Sequence, residues 1–511
     1  MKEKIRNPLL KRIDFQLSII PFFSIILLCL LFVLKPQASS SALERMRFFL
    51  SDRLASFYLL IGLGMFLISL YIAFSKYGKI KLGGGEKPDF SFFSWGSMMF
   101  TAGLAADILF YSICEWMLYA GEGHIAKLGG VQTWASTYPL FHWGPIPWSF
   151  YLVLASAFGF MLHVRKCKRQ RYSESCRALL GRKVDGLIGK LIDLFAVFAL
   201  IAGTATTFSL ATPLLSGALS KVSGLPEGST LTISLLLIIC AIYTFCAYLG
   251  IKGVEFLASS CSYIFFSLLA FVLIGGGKAV YIIETGISSL GNLAQNFIVL
   301  STWTDAGRES GFVRNWTVFY WAYWMVWCVA TPFFIGSISR GRTLRQTVLG
   351  GYLFGLAGTF SSFIILGNYG LGLELLDHKG ILALYRESAD LYGSILFIFE
   401  QLPFPKLALI LLVLSMIAFY ATTFDSLTLV ASSYTYKELE EGEIPDKRIK
   451  LFWAILLILF PIALIFSENS MNHLQTVSII AAFPVGIIII LIVASFFKDA
   501  AAYLRCEKKN E

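Results

Sequence analysis

Charge is what this 511-residue chain has least of: Asp, Glu, Lys and Arg together make up 14% of it. An ordinary soluble domain carries about a quarter. With so few, a chain of this size cannot cover itself in polar surface, and a soluble globular fold is excluded. Motif chemistry is equally sparse. The nine cysteines show no CxxC and no Cys/His spacing, which argues against a disulfide framework or a metal centre. Most of them lie in apolar runs and read as small packing residues. No phosphate-binding glycine loop is present, so ATP does not drive the protein directly. No nucleophile, metal cluster or cofactor motif is present, so the chain does not read as an enzyme and needs no organic cofactor. The first apolar run lacks a small-residue cleavage site and is too long for a signal-peptide core.

What is there is apolar. Hydrophobic residues make up 57% of the chain, and the mean hydropathy is +0.71. Uncharged runs long enough to cross about 30 Å of hydrocarbon recur along it. Twelve spans are expected, at 15–34, 54–75, 90–119, 137–164, 187–217, 229–250, 254–275, 315–338, 343–368, 403–435, 451–467 and 474–497. The fold class is therefore an all-α membrane protein with 12 transmembrane helices. The stretch 279–300 is amphipathic and holds Glu284, so it is expected to lie along the interface. Counted over alternate loops, about 29 of the 42 Lys and Arg fall on the side of the N-terminus and about 12 opposite. That asymmetry expects both termini in the cytoplasm, in a cell membrane. The net charge of +10 records orientation and is no nucleic-acid signal, since the basic residues sit in short loops.

One stretch organises the rest. Residues 316–343, WTVFYWAYWMVWCVATPFFIGSISRGRT, hold Trp316, Tyr320, Trp321, Tyr323, Trp324 and Trp327 within twelve uncharged positions and end in a basic stop, Arg340, Gly341 and Arg342. On a helix Tyr320, Tyr323, Trp324, Trp327 and Thr331 share one face. Such rings can enclose a cation that has no N–H to donate, because they offer negative quadrupole faces. Aromatics also gather in membrane bundles for packing alone. The third span holds Asp107 and Glu115 at membrane depth, where ionisable residues face the bundle interior. Gly103, flanked by small residues, is where that helix can open and free carbonyls for a cation. In FHWGPIPW (141–148), His142 stands as a proton carrier or as a structural hydrogen-bonder. Thr204, Thr206 and Thr207 lie in the fifth span, and Thr422, Thr423, Asp425 and Ser426 in the tenth; adjacent hydroxyls suit Na⁺. Spans 3–7 and 8–12 form two sets of five, and because five is odd the second is inverted. Within a single domain (1–511) this divides the chain into peripheral helices (15–75), a first repeat (90–275), the interfacial helix (279–300) and a second repeat (315–497).

AGLAADILFYSICE (102–115), FHWGPIPW (141–148), GTATTFSL (203–210), WTVFYWAYWMVW (316–327), ISRGRT (338–343) and ATTFDS (421–426) occur in that order. Together with a terminal SFFKDA they resemble the betaine/choline/carnitine transporter family over nearly the whole chain. The resemblance implies a LeuT-like core of two inverted five-helix repeats, a homotrimer in the lipid bilayer, and a quaternary (trimethyl)ammonium substrate. The substrate contacts would fall on Tyr323, Trp324 and Trp327, with Tyr320, Gly103 and Trp148 beside them. Tyr323 replaces the usual first tryptophan. In sodium-coupled members the ion's ligands would correspond to Thr422, Thr423, Thr101 and Leu104, with a second site at Thr206. Stretches such as TYPLFHWGPIPW look closer to the sodium-independent carnitine/γ-butyrobetaine exchangers. Their ion-replacing arginine and methionine align with Cys261 and Thr331, so neither substitute is present, and the expectation is Na⁺ coupling. Two departures stand out: the third span is richer in alanine than in many relatives, and Ser337 replaces a frequent arginine.

Long cytoplasmic tails act as osmosensors in some members of that family, and both tails here are expected to be short. Uptake into proteoliposomes should therefore show no steep rise with external osmolality; a many-fold activation would contradict this expectation.

Overall fold

The computed structural model describes residues 12–83, 87–102, 106–248, 251–439, 443, 445–466 and 471–510. Among these residues the chain is almost wholly helical. Its isolated β-bridges, Ile13–Tyr436 and Lys81–Thr343, each pin a loop. The longer helices are α1 (Phe15–Leu34), α2 (Ala55–Phe74), α3 (Phe92–Ala102), α4 (Ala106–Ala120), α5 (Val131–His142) and α6 (Pro145–Gly159). Next come α7 (Leu187–Ser223), α8 (Ser229–Tyr248), α9 (Ile251–Ala270), α10 (Ala279–Thr302) and α11 (Val318–Trp327). The last are α12 (Thr331–Ile338), α13 (Leu344–Ser362), α14 (Pro405–Thr435), α15 (Lys447–Phe466) and α16 (Met471–Asn510).

Six helical stretches have the length and apolarity of a span, among them α2, α7 and α14. Two further pairs are bent, by 111° between Ser259–Gly275 and α10, and by 51° between Val313–Trp327 and α12. Length and composition thus support six to eight spans among the described residues, fewer than the twelve expected. That count covers the described residues alone: of the third expected span, α3 and α4 are described, with 11 and 15 residues, and residues 103–105 lie outside. Shorter apolar stretches are Phe15–Leu28 of α1 and Ser229–Ile242 of α8.

Small residues set how closely the helices approach. A Cβ at Gly336 of α12 would come within 2.8 Å of Gly159 N and 2.9 Å of Ala155 O, so α12 and α6 meet backbone to backbone. Gly355 of α13 lies under the Trp148 ring, and Gly350 under that of Trp95, each closer than a side chain would permit. In lipid, where apolar surface gains little by leaving the solvent, this contact is what holds helices together.

Each end of the bundle is closed by ion pairs. At one end Asp52 accepts from Arg314 (2.7 Å) and Arg308 (2.9 Å), tying the start of α2 to the segment that leads into α11. At the other, the buried Arg171 donates twice to Tyr436 O (2.7 and 3.1 Å) and once to Asp14 (3.0 Å). The ISRGRT segment does more than stop a helix. Arg342 lies 4.1 Å over the Trp95 ring and donates to Phe90 O (2.9 Å), while Ser339 accepts from Trp95 Nε1 (3.1 Å). Thr343 and Gln346 then form a capping box that starts α13.

Gly336→Val should destabilise the protein by about 1–3 kcal/mol, as overpacking does, and lower its melting temperature in detergent. An unchanged melting temperature would mean that α6 and α12 are not in backbone contact. The Arg314 hydrogen bond, with Arg308, holds the Asp52 carboxyl below the usual carboxylate value. Stability from that pairing is complete above the ordinary carboxylate range and is lost as pH falls through the lowered value. Melting temperature should therefore fall less on strong acidification in Asp52→Asn than in the wild type.

Candidate functional site

The site is built where α11 stops. Pro332 has no N–H to give the carbonyl of Cys328, four residues earlier, and α11 ends at Trp327. It restarts as α12, with Pro332 in the first turn. The Cys328 carbonyl instead accepts a hydrogen bond from Tyr172 (3.0 Å), a residue of the segment joining α6 to α7.

Above this break α11 turns its rings inward. The Trp324 indole lies 4.7 Å from Tyr151, 5.6 Å from Trp143 and 5.9 Å from Trp148, all measured between ring centroids. Tyr323 stands 6.5 Å from Trp327 and 6.4 Å from Trp143. Trp327 packs against Gly203 of α7. Tyr323 and Trp324 are each 2% exposed and Trp327 8%, so the cluster is enclosed. The indole N–H groups of Trp148, Trp324 and Trp327 have no hydrogen-bond partner. These walls therefore present aromatic faces more than satisfied polar contacts.

One carboxylate stands at the edge of the rings. Tyr323 donates its hydroxyl to Asp107 Oδ2 and shares a second hydrogen bond with the Thr207 hydroxyl. Three helices, α4, α7 and α11, meet at this phenol. Asp107 lies in the first turn of α4, against the N–H groups of Asp107 and Ile108, where the helix dipole favours negative charge. Its other oxygen, Oδ1, is buried without a partner.

Of the expected substrate contacts, the structure brings Tyr323, Trp324, Trp327 and Trp148 together. Tyr320 meets the same cluster through Trp143 (5.5 Å), and it also stacks on His142 at 4.7 Å and sits 5.7 Å from Tyr111. Thr331 begins a new helix, and its hydroxyl lies beside Tyr151 of the cluster. Gly103 and Leu104 lie outside the described residues. Thr101 donates its hydroxyl to Ser97 O (3.0 Å). Thr422 bonds Phe419 O (3.0 Å) and Ala418 O (3.2 Å), with the Cys261 thiol beside it and Thr423 next on the same helix. Thr206 shares a hydrogen bond of 2.9 Å with Ser478 of α16.

The residues missing from the expected set are Trp143, Tyr151 and Thr207, and the role of Asp107 as the partner of Tyr323. Tyr151 lies three residues after Trp148 on α6, a spacing that would have placed it on the same face. The contact of Trp143 depends on how the Gly144–Pro145 turn sets α5 against α6, a direction that the turn residues alone do not give.

Apolar helices, an interrupted helix and an enclosed aromatic cluster with a carboxylate at its rim define a multi-pass membrane transporter. Residues 16–504 match the profile of the BCCT, betaine/carnitine/choline family transporter, and the chain belongs to that family. It is 30% identical over 488 residues to the glycine betaine transporter OpuD of Bacillus subtilis (strain 168), covering 94% of this chain and 93% of the relative. It is 28% identical over 426 residues to a carnitine transporter of Acinetobacter baumannii, covering 82% of this chain and 76% of that one. A structure of a Na⁺-coupled sialic acid symporter aligns over 88% of this chain and 86% of its own, at 13% identity and a TM-score of 0.42.

Tyr323→Phe would leave Asp107 without its one side-chain donor. The loss should cost about 1–3 kcal/mol, the price of a buried acceptor left unpaired. A drop in melting temperature would register it, and Thr207→Val, which leaves the Asp107 bond in place, should cost less.

Proposed function

We propose that this protein imports a quaternary ammonium cation across the cell membrane, coupled to Na⁺, with both termini cytoplasmic. The reading is carried by Asp107. A quaternary nitrogen has no N–H, so it is held by ring faces and by unspecific charge attraction. Tyr323, Trp324, Trp327, Trp143 and Tyr151 supply the faces, and the unpartnered Asp107 oxygen supplies the charge. The same carboxylate occupies the N-terminal turn of α4. A freed helix N-terminus would otherwise attract a carboxylate carried by the substrate. Here that position already holds an acidic side chain, and a second carboxyl group beside it would be disfavoured. The favoured cargo is therefore a cation without a carboxylate, of the choline kind, ahead of zwitterions such as glycine betaine or carnitine.

Na⁺ coupling draws support from the threonine hydroxyls of α14 and from the thiol at Cys261, which cannot stand in for a fixed cation as a guanidinium would. Cargo would enter with the cluster open to one side, and one five-helix set would then rock against the other.

Radiolabelled uptake of choline, glycine betaine and carnitine, with and without Na⁺, tests the reading. Choline uptake dependent on Na⁺ is expected. A strong preference for glycine betaine would overturn the role given to Asp107, and rapid counterflow in Na⁺-free buffer would favour sodium-independent exchange. Trp324→Ala should weaken choline binding by about 1–2 kcal/mol, the worth of a desolvated cation–π contact. Asp107→Asn should lower choline affinity and narrow its advantage over glycine betaine.

A further inference from the structure

Behind the aromatic cluster lies a second carboxyl that the transport reading does not use. Glu115, on α4 two turns beyond Asp107, has no exposed surface. Its Oε2 accepts from Trp143 Nε1 (2.7 Å), and its Oε1 accepts from the Tyr119 hydroxyl. Tyr119 is in turn 2.6 Å from His142 Nδ1, and His142 Nε2 is 3.0 Å from the Thr317 hydroxyl, just before α11. Both donors to Glu115 are neutral. Among the described residues the basic side chain within ion-pairing distance is His142, with Nδ1 at 3.9 Å from Oε1. The other titratable groups around the chain are Asp107, Tyr111 and Cys114 on α4, Tyr138 on α5 and Tyr320 on α11. His124 follows beyond Tyr138, at 2.9 Å. None of these adds a positive charge beside Glu115.

An ionised carboxylate alone in such a place would cost several kcal/mol. The set is neutral only when it holds one proton, on Glu115 or on His142. Tyr119 connects the two. Its single proton is donated to Glu115, so its oxygen accepts from His142 Nδ1–H. A proton can pass when the Nδ1–H bond breaks as a bond forms to the Tyr119 oxygen. The original Tyr119 O–H bond breaks at the same time, and its proton bonds to Glu115 Oε1. An imidazolium and a carboxylate thereby become a neutral imidazole and a carboxylic acid, with no heavy atom moving far.

Trp143 joins this set to the substrate cluster. Its N–H holds Glu115, while its ring stands 5.6 Å from Trp324 and 6.4 Å from Tyr323. The hydrogen bond is stronger to a carboxylate than to a carboxylic acid. A cation among the rings favours the ionised form by simple attraction through a medium of low dielectric constant. We propose that Glu115, Tyr119 and His142 form a proton-binding site that empties as a cationic ligand fills the aromatic cluster. Proton and cargo then compete across the Trp143 indole. This inference rests on the reading of the cargo as a cation.

The test is calorimetric binding of choline to the purified full-length protein between about pH 6 and about pH 8, the range a histidine site spans, in buffers of different ionisation enthalpy. Choline affinity should rise several-fold across that range, with about tenfold per pH unit as the ceiling for one linked proton. Protons should be released to the buffer on binding. Glu115→Gln should bind choline with an affinity that does not vary with pH and release no proton. Asp107→Asn should bind more weakly but keep the wild-type slope, which separates the two acids. If Glu115→Gln does not fold, His142→Gln leaves Glu115 to hold the proton and should shift the pH at which affinity rises; an unshifted midpoint would overturn the proposal. Wild-type affinity independent of pH, with no proton exchanged, would overturn the proposal, as would a slope retained in Glu115→Gln. Should choline not bind at any pH, the cargo reading fails, and infrared difference spectra of the ligand-free protein decide the proton site. A carboxyl band that titrates in the wild type and is absent from Glu115→Gln supports it; no such band refutes it.

Discussion

A carboxyl group inside an apolar bundle has to be met by hydrogen-bond donors, because no water is there to do so. In this protein that requirement joins the helices. Asp107 draws the hydroxyl of Tyr323, and Tyr323 also engages Thr207, so one phenol links α4, α11 and α7. Glu115 draws the indole N–H of Trp143 and the hydroxyl of Tyr119. The aromatic side chains thus serve twice: their polar tips satisfy buried acids, and their ring faces line the space between. An apolar replacement at Tyr323 or Trp143 would alter both the walls and the electrostatics.

The second constraint is the interruption between α11 and α12. Pro332 removes one hydrogen bond from the ladder, and the vacated carbonyl is taken up by Tyr172 from a segment far away in the chain. His163, at the end of the α6 helix region, lies 3.1 Å from both Gly336 O and Ser337 O, near the other end of α12. The short helix α12 is therefore held at both ends by side chains and along its length by the glycine contact with α6.

The family, the helical class and the identity of the ring-bearing residues were legible before any coordinates. Apolar runs of span length and a concentration of Trp and Tyr are local properties of the chain. Tyr323, Trp324 and Trp327 lie at helical spacing, and they do face one cluster. Tyr320, at the same spacing, reaches Trp143 and also stacks on His142, a second contact that spacing within one helix does not give, because α5 approaches α11 from that side. Thr331 lies past the break at residues 328–330, in a second helix, and reaches Tyr151 of the cluster from there. His142, ambiguous by itself, becomes one member of a bonded set only once α4 and α5 are side by side.

The sequence by itself determined the solvent this protein lives in and the chemistry available to its site. Both follow from composition and from spacing within one helix. Only the tertiary structure decided which rings meet, that Asp107 stands at their edge with one oxygen unpaired, and that Glu115 is tied to Trp143 and His142. Those contacts join residues 23 to 216 positions apart. The way helices pack sets such distances, and no local pattern in the chain encodes them.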